Sequence, residues 1–250
     1  MVAAIVFFAT SAMAQTTNDL SDAEIQGRQL AQQLLQQKPA TKYSQNGVLK
    51  IRDENGKHLE FPFKYEINMG PSSICDWSSS YTAILKTNAD GETLSIRVRE
   101  NQPNTYFHHL PWHSELGMIW RGPDGKSDAG IMIPFAGSDF WLADLGLEFF
   151  HWPAQKVLKK EIKRSRGCTV LESTNPSPST NGYSRVVSWI DNESSGIVQA
   201  EAYDFKNKLL KEFAPKSFKK VNGQWELQEM EIRNVQTGSR TRLEFDLKKE

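Results

Sequence analysis

The chain has 250 residues, 38% of them apolar, and its 30 Lys and Arg are balanced by 30 Asp and Glu. This is a globular composition that excludes disordered, collagen-like and coiled-coil classes, and a net charge of zero argues against a general nucleic-acid binder, which carries a basic excess. Two cysteines are too few for a disulfide-rich scaffold or a four-cysteine zinc site.

Val2 to Thr10 form an apolar run shorter than the twenty or so residues a bilayer span needs. The run ends in Ser11, Ala12, Met13 and Ala14, and small residues at 12 and 14 fit the A-x-A pattern of a signal-peptide cleavage site. Residues 1–14 are therefore read as a signal peptide, with residues 15–250 forming a single exported domain. No basic n-region precedes the run, so the true start is expected slightly upstream. Position 15 is Gln, not Cys, so lipidation of the bacterial lipoprotein type is not expected. The expected compartment is the periplasm. In that oxidising setting Cys75 and Cys168 can pair, closing a loop worth roughly 4–5 kcal/mol in the chain-entropy model. The alternative is two buried free thiols.

Ser21-Asp22-Ala23-Glu24 is a capping box, and Ile25, Leu30, Ala31, Leu34 and Leu35 follow at helical spacing until Pro39 forbids continuation. One amphipathic helix is predicted over 22–37. Alternating strands follow: Leu59, Phe61, Phe63, Tyr65 and Ile67 after the Asn55-Gly56 hairpin signal, then Leu94, Ile96 and Val98 with a wet face between them. Further turn signals stand at Asp90-Gly91, Asp124-Gly125, Lys206-Asn207-Lys208, Asn222-Gly223 and Thr237-Gly238. Apolar parity changes from Trp225 and Leu227 to Met230 and Ile232, which predicts a bulge near Glu229.

Ser138-Asp139 can cap a second helix from Phe140 to about Phe150, with Pro153 beyond its end. Only Asp144 and Glu148 interrupt its apolar surface, so this helix must be wrapped in sheet or cover a cavity. Residues 173–182 read as a long exposed loop. About ten or more antiparallel strands with two helices will curl. The predicted fold is mainly β (α+β): a strongly curved, incomplete antiparallel barrel with a helical lid, able to enclose a ligand.

Catalytic signatures are sparse. There is no G-x-S-x-G elbow, H-E-x-x-H pair or phosphate-cradling loop. His108, His109 and His113 lack a nearby Cys to complete a tetrahedral set, and adjacent strand residues point opposite ways. The chain is read as a non-enzyme without metal or cofactor. Two basic stretches run from Lys156 to Arg166 and from Lys206 to Lys220. They read as solvated strand faces, or as attraction to an anionic membrane or an acidic partner.

The C-terminal half carries an ordered string: Gly137-Ser138-Asp139-Phe140, Asp144-Leu145, Gly167-Cys168-Thr169-Val170-Leu171-Glu172 and Val187-Ser188-Trp189-Ile190-Asp191. It continues with Tyr203-Asp204, Leu210-Lys211-Glu212, Gly223-Gln224-Trp225, Glu231-Ile232-Arg233-Asn234, Thr237-Gly238 and Thr241. Over roughly 70–248 this resembles the LolA-like outer-membrane lipoprotein-sorting family. The resemblance implies a LolA/LolB-like incomplete barrel with an apolar cavity, acting as a periplasmic carrier of lipid or lipoprotein acyl chains. It also implies an inner-membrane transporter as donor and an outer-membrane acceptor. The cavity candidates are Trp120, Phe140, Trp141, Leu145, Phe149, Trp189 and Trp225, each of which can equally be packed core. The alternative function is a non-carrier binding or sensor module of the envelope on the same fold.

Overall fold

The computed structural model describes residues 20–71, 74–85, 91–110, 117–119, 130–221 and 223–247. The expected signal segment, the Asp124-Gly125 turn, Trp120 and His113 lie outside them. Helix α1 (Asp22–Leu35) opens the described chain, with the main-chain N–H and hydroxyl of Ser21 both donating to the Glu24 carboxylate, at 2.9 and 2.7 Å. Strands β1 (Tyr43–Arg52), β2 (His58–Met69), β3 (Trp77–Ala83), β4 (Glu92–Val98), β5 (Thr105–His109) and β6 (Gly117–Ile119) follow. The crossing segment 130–153 carries α2 (Leu142–Leu145) and a 3-10 turn (Glu148–His151). Then come β7 (Ala154–Lys163), β8 (Arg166–Thr174), β9 (Tyr183–Asp191), β10 (Ile197–Asp204), β11 (Leu209–Val221), β12 (Gln224–Asn234) and β13 (Arg240–Phe245).

The thirteen strands found among the described residues form one sheet in the order β6-β5-β4-β3-β2-β1-β13-β12-β11-β10-β9-β8-β7. Every neighbouring pair is antiparallel. The chain thus begins in the middle of the sheet, meanders to one edge, crosses to the other and meanders back. Only the β1–β13 pair, with Gly47 opposite Phe245 and Arg52 opposite Arg240, joins the two halves. Among the described residues the edge strands β6 and β7 do not pair with each other, so of the predicted architecture the structure has the mainly β, antiparallel sheet that does not close.

The inner face carries the core. Leu49, Ile51, Phe63, Leu94, Ile96, Tyr106, Leu171, Ile190 and Leu243 from seven strands pack with Phe135, Phe140, Leu142 and Phe149 of the crossing segment. A smaller cluster of Cys168, Val170, Val187 and Trp189 sits apart from it, on the other face of β8 and β9. The predicted change of parity is found where Pro215 pairs with Met230, Ser217 with Glu229 and Phe218 with Leu227, which leaves Lys216 and Gln228 as extra residues. The first hairpin differs from expectation. Its loop spans Asp53 to Lys57, because the Asp53 carboxylate accepts the amides of Asn55 and Lys57 at 2.9 and 2.8 Å and widens the turn.

The predicted helix over 140–150 is also interrupted. Gly146 ends α2, and Leu147 takes a left-handed φ of 50° before the 3-10 turn begins. A side chain at Gly146 would collide with the Tyr106 hydroxyl, so the close approach of β5 to this point needs a glycine. The loop expected over 173–182 is shorter, because β8 continues to Thr174.

Helix α1 lies on β7 at very short range. A Cβ at Gly27 would stand 2.5 Å from the Lys156 amide nitrogen and 2.6 Å from the Lys156 Cα. Neither backbone atom can rotate away. Gly27→Ala is therefore expected to destabilise the fold by about 1–3 kcal/mol, as overpacking does, measured as a lowered urea midpoint at unchanged m-value.

Candidate functional site

The crossing segment is held by side chains from many strands, and most of them bond its backbone. Glu92 of β4 accepts the Ala136 amide at 2.8 Å and bonds His108 at 2.7 Å. Tyr81 of β3 donates to the Leu145 carbonyl at 3.2 Å, and Asn104 to the Gly146 carbonyl at 2.9 Å. Gln155 of β7 donates to the carbonyls of Phe149 and Trp152 at 2.9 and 2.8 Å, and its own carbonyl accepts from Ser173 at 2.7 Å. On β13, Thr241 accepts the Asp139 amide and donates to the Asp139 carboxylate, both at 2.9 Å. Irregular buried backbone needs such partners, since each group left unpaired costs about 1–3 kcal/mol.

A polar knot stands at the centre of this arrangement. Lys211 of β11 is 2% exposed; its Nζ donates to the Asp139 carbonyl at 2.7 Å and lies 3.4 Å from the Asp144 carboxylate. The same ammonium sits 3.5 Å from the centre of the Trp141 ring, which stacks on Tyr183 at 4.5 Å. Tyr183 closes the knot by donating to Asp144 at 2.9 Å. Burial pushes the Tyr183 hydroxyl well above its ordinary range, so it keeps its proton. Burial also pulls Lys211 down to about 8, against the opposing attraction of Asp144 and Asp139.

Beside the knot is a cavity of about 170 Å³ walled by Phe140, Leu145, Phe149, Phe213, Met230 and Ile232 among others, with Lys211, Asp144 and Tyr183 as its polar patch. An apolar cavity of about 150 Å³ holds one benzene, so this space by itself takes a short piece of hydrocarbon. An open groove of about 450 Å³ lies nearby, lined by Tyr43, Tyr65, Ile67, Leu227 and Phe245. Tyr81 lines the cavity and Tyr65 the groove, and their rings touch with centroids 4.9 Å apart. That tyrosine contact links one wall of the cavity to one wall of the groove.

The structure brings three of the expected cavity residues, Phe140, Leu145 and Phe149, to the cavity wall. Trp141 is close by but packed within the knot. Trp189 belongs to the opposite face, where its indole N–H donates to Glu161 and Lys163 lies over its ring. Trp225 is 70% exposed and far along the β11–β12 hairpin. The reason is that β10 stops pairing with β11 at Phe213 and β13 pairs with β12 only from Glu229, so beyond them the hairpin extends past the neighbouring strands. Sequence reasoning missed Lys211, Tyr183, Met230 and Ile232. The signal for Lys211 was available, because it is an odd-numbered Lys in phase with apolar Leu209 and Phe213 on one strand.

The disulfide weighed between Cys75 and Cys168 is not formed. Both are free and buried. Cys75 precedes β3 and would meet any side chain at Gly70, whereas Cys168 belongs to the outer cluster on β8, eight strands away in the sheet order.

Comparison with known proteins agrees with this architecture. A family model described as "Uncharacterized protein" matches residues 127–248, and no curated protein matches the chain. A DUF1329 family protein from Desulfovibrio piger shares 21% identity at a TM-score of 0.71, covering 90% of this chain and 92% of its own. A domain named for outer membrane lipoprotein sorting, from Vibrio parahaemolyticus, shares 18% identity at a TM-score of 0.71 over the same proportions. A LolA superfamily protein from Nitrosomonas europaea shares 14% identity at 0.58, covering 91% and 93%. The chain has a LolA-like fold, in keeping with the resemblance carried by its C-terminal half. No helix among the described residues is long and apolar enough to cross a membrane.

Two outcomes are expected. Lys211 is depressed in the folded state, so between about pH 8 and its unfolded pKa near 10.5 the unfolded chain binds the extra proton. Wild-type stability, measured against Lys211→Met, is expected to rise with pH in that window by on the order of 1 kcal/mol per pH unit, and to run parallel to the variant below pH 8. Both cysteines are buried, and burial raises the Cys168 thiol; for lack of access both are expected to resist alkylation when folded. Both should react in denaturant without any reductant, as read by intact mass.

Proposed function

We propose that this protein is a periplasmic carrier that shelters an acyl chain of a lipid or lipoprotein on its way to the outer membrane, with residues 1–14 serving as its export signal. The observation that carries this reading is the apolar cavity against the aromatic crossing segment, with a groove beyond the Tyr65–Tyr81 pair. Parting of those rings would join the two spaces into one slot long enough for an extended chain. Each methylene withdrawn from water contributes about 0.8 kcal/mol, so such a slot needs shape and apolar lining more than special chemistry. The segment 130–153 is the natural lid, and the polar bonds that seat it are the ones that must rearrange when cargo enters. An inner-membrane transporter as donor and an outer-membrane acceptor complete the reading.

A second reading is favoured by how much of the interior is occupied. Phe135, Phe140 and Leu142 are each 2% exposed or less, which suits a binding or sensor module whose crossing segment stays in place. The carrier reading predicts that acyl mass co-purifies with the protein, detected by native mass spectrometry and lipid extraction. Leu145→Gln is expected to weaken binding of a fluorescent fatty acid about tenfold, the equivalent of roughly 1.4 kcal/mol, with a small change in thermal midpoint. Protein that carries no acyl mass and binds the probe equally well before and after the substitution supports the sensor reading.

A further inference from the structure

The two basic stretches of the sequence meet in space. Arg164, in the turn between β7 and β8, donates to the Pro215 carbonyl at 2.7 Å, so that turn lies against β11 where the strand leaves the sheet. β11 pairs with β10 only up to Phe213, and β12 pairs with β13 only from Glu229 onward. Between them, 217–221 and 224–227 form a two-stranded ribbon whose outer edges pair with no further strand among the described residues. Phe218 stands opposite Leu227 and Lys220 opposite Trp225, so these four share one face. Phe218 is 54% exposed, Trp225 70% and Ile162, beside the β7–β8 turn, 79%. They are three of the four most exposed large apolar side chains among the described residues.

Single exposed apolar residues are ordinary, but a cluster rimmed by charge marks a contact surface. Residues 159–166, 216–221 and 223–226 carry eight Lys or Arg against two Glu, on a chain of zero net charge. The two acids are already engaged, Glu161 with Lys159 and Trp189, and Glu226 with the Tyr43 hydroxyl. Lys216 pairs with Glu231, Lys219 bonds the Leu247 carbonyl, Lys159 pairs with Glu161, Lys163 covers the Trp189 ring, Arg164 bonds the Pro215 carbonyl and Arg166 bridges Asp191 and Glu193. Lys160 and Lys220 are the exposed cations of the group that these contacts do not engage.

We propose that this ribbon and turn are a membrane-contact surface that seats on an anionic bilayer. Trp225 and Phe218 enter the headgroup layer, where aromatic rings are favoured, and the surrounding cations meet lipid phosphates. A protruding two-stranded tip offers little of the roughly 800 Å² per partner that a stable protein interface buries, whereas a few inserted side chains suffice for a lipid surface. The same face leads inward, since Leu227 of the ribbon lines the groove. Contact here brings the groove to the bilayer, yet it does not depend on whether the interior loads an acyl chain.

The test is flotation of the purified full chain with vesicles of phosphatidylcholine mixed with phosphatidylglycerol, and with vesicles of phosphatidylcholine alone. Wild type is expected to float with the anionic vesicles at low salt, to detach as salt rises, and to ignore the zwitterionic ones. Trp225→Ser combined with Phe218→Ser should abolish flotation, and Lys220→Glu should weaken it about tenfold, both with an unchanged thermal midpoint and unchanged fatty-acid binding. Equal flotation of wild type and double variant, or no flotation of wild type, overturns the proposal whatever the fatty-acid assay shows. So does a Trp225-dependent dimer in sedimentation, which makes the ribbon a self-association surface instead.

Discussion

A chain that begins in the middle of its own sheet must at some point travel from one edge to the other. Here β1 is central, the first meander ends at β6 and the second begins at β7 on the far edge. The connection between them has the whole width of thirteen strands to cover, and curling of the sheet makes the inner face the short route. The crossing segment 130–153 is therefore more than a loop. It is the filling of the concavity, and the core is the set of contacts between it and the inner face of most strands.

Filling a concavity with irregular backbone creates a problem that helices and strands do not have, because its amides and carbonyls have no ladder to join. The solution is distributed. Glu92, Tyr81, Asn104, Gln155 and Thr241, from strands or the turns beside them, each satisfy one or two of those groups. Lys211 is the most demanding member, since a buried ammonium is tolerable only with Asp144, the Asp139 carbonyl and the Trp141 ring around it. Polar residues fixed in this way cannot also fill space as apolar side chains would. The hollow remains beside them, between the knot and the small side chains of Ala200 and Ala202.

The inner and outer faces diverge at the β11–β12 bulge. Before it, Phe213, Met230 and Ile232 face the cavity; beyond it the same two strands run free and present Phe218 and Trp225 to solvent. The end of pairing with β10 and β13 thus separates the residues that wall the interior from those available at the rim.

Helix α1, the strand alternation, the bulge and the curled antiparallel sheet were legible from residue order, because each depends on local periodicity, turn chemistry or capping. The break at Gly146 was half legible: a glycine after Leu145 is a helix stop, but the close approach of Tyr106, which leaves no room for a side chain there, comes from a strand distant in sequence. What periodicity cannot report is which of two apolar faces meets the interior. Trp189 and Val186 stand three residues apart on one strand, yet they belong to different clusters, and Trp225 looks like a core residue until its strand is seen to outrun its neighbours. The sequence by itself determined helix α1, the antiparallel strands and the bulge between β11 and β12. The tertiary structure alone decided which aromatics enclose the hollow, that Cys75 and Cys168 stay apart, and that a lysine completes the wall, because these follow from long-range pairing between strands that local order does not encode.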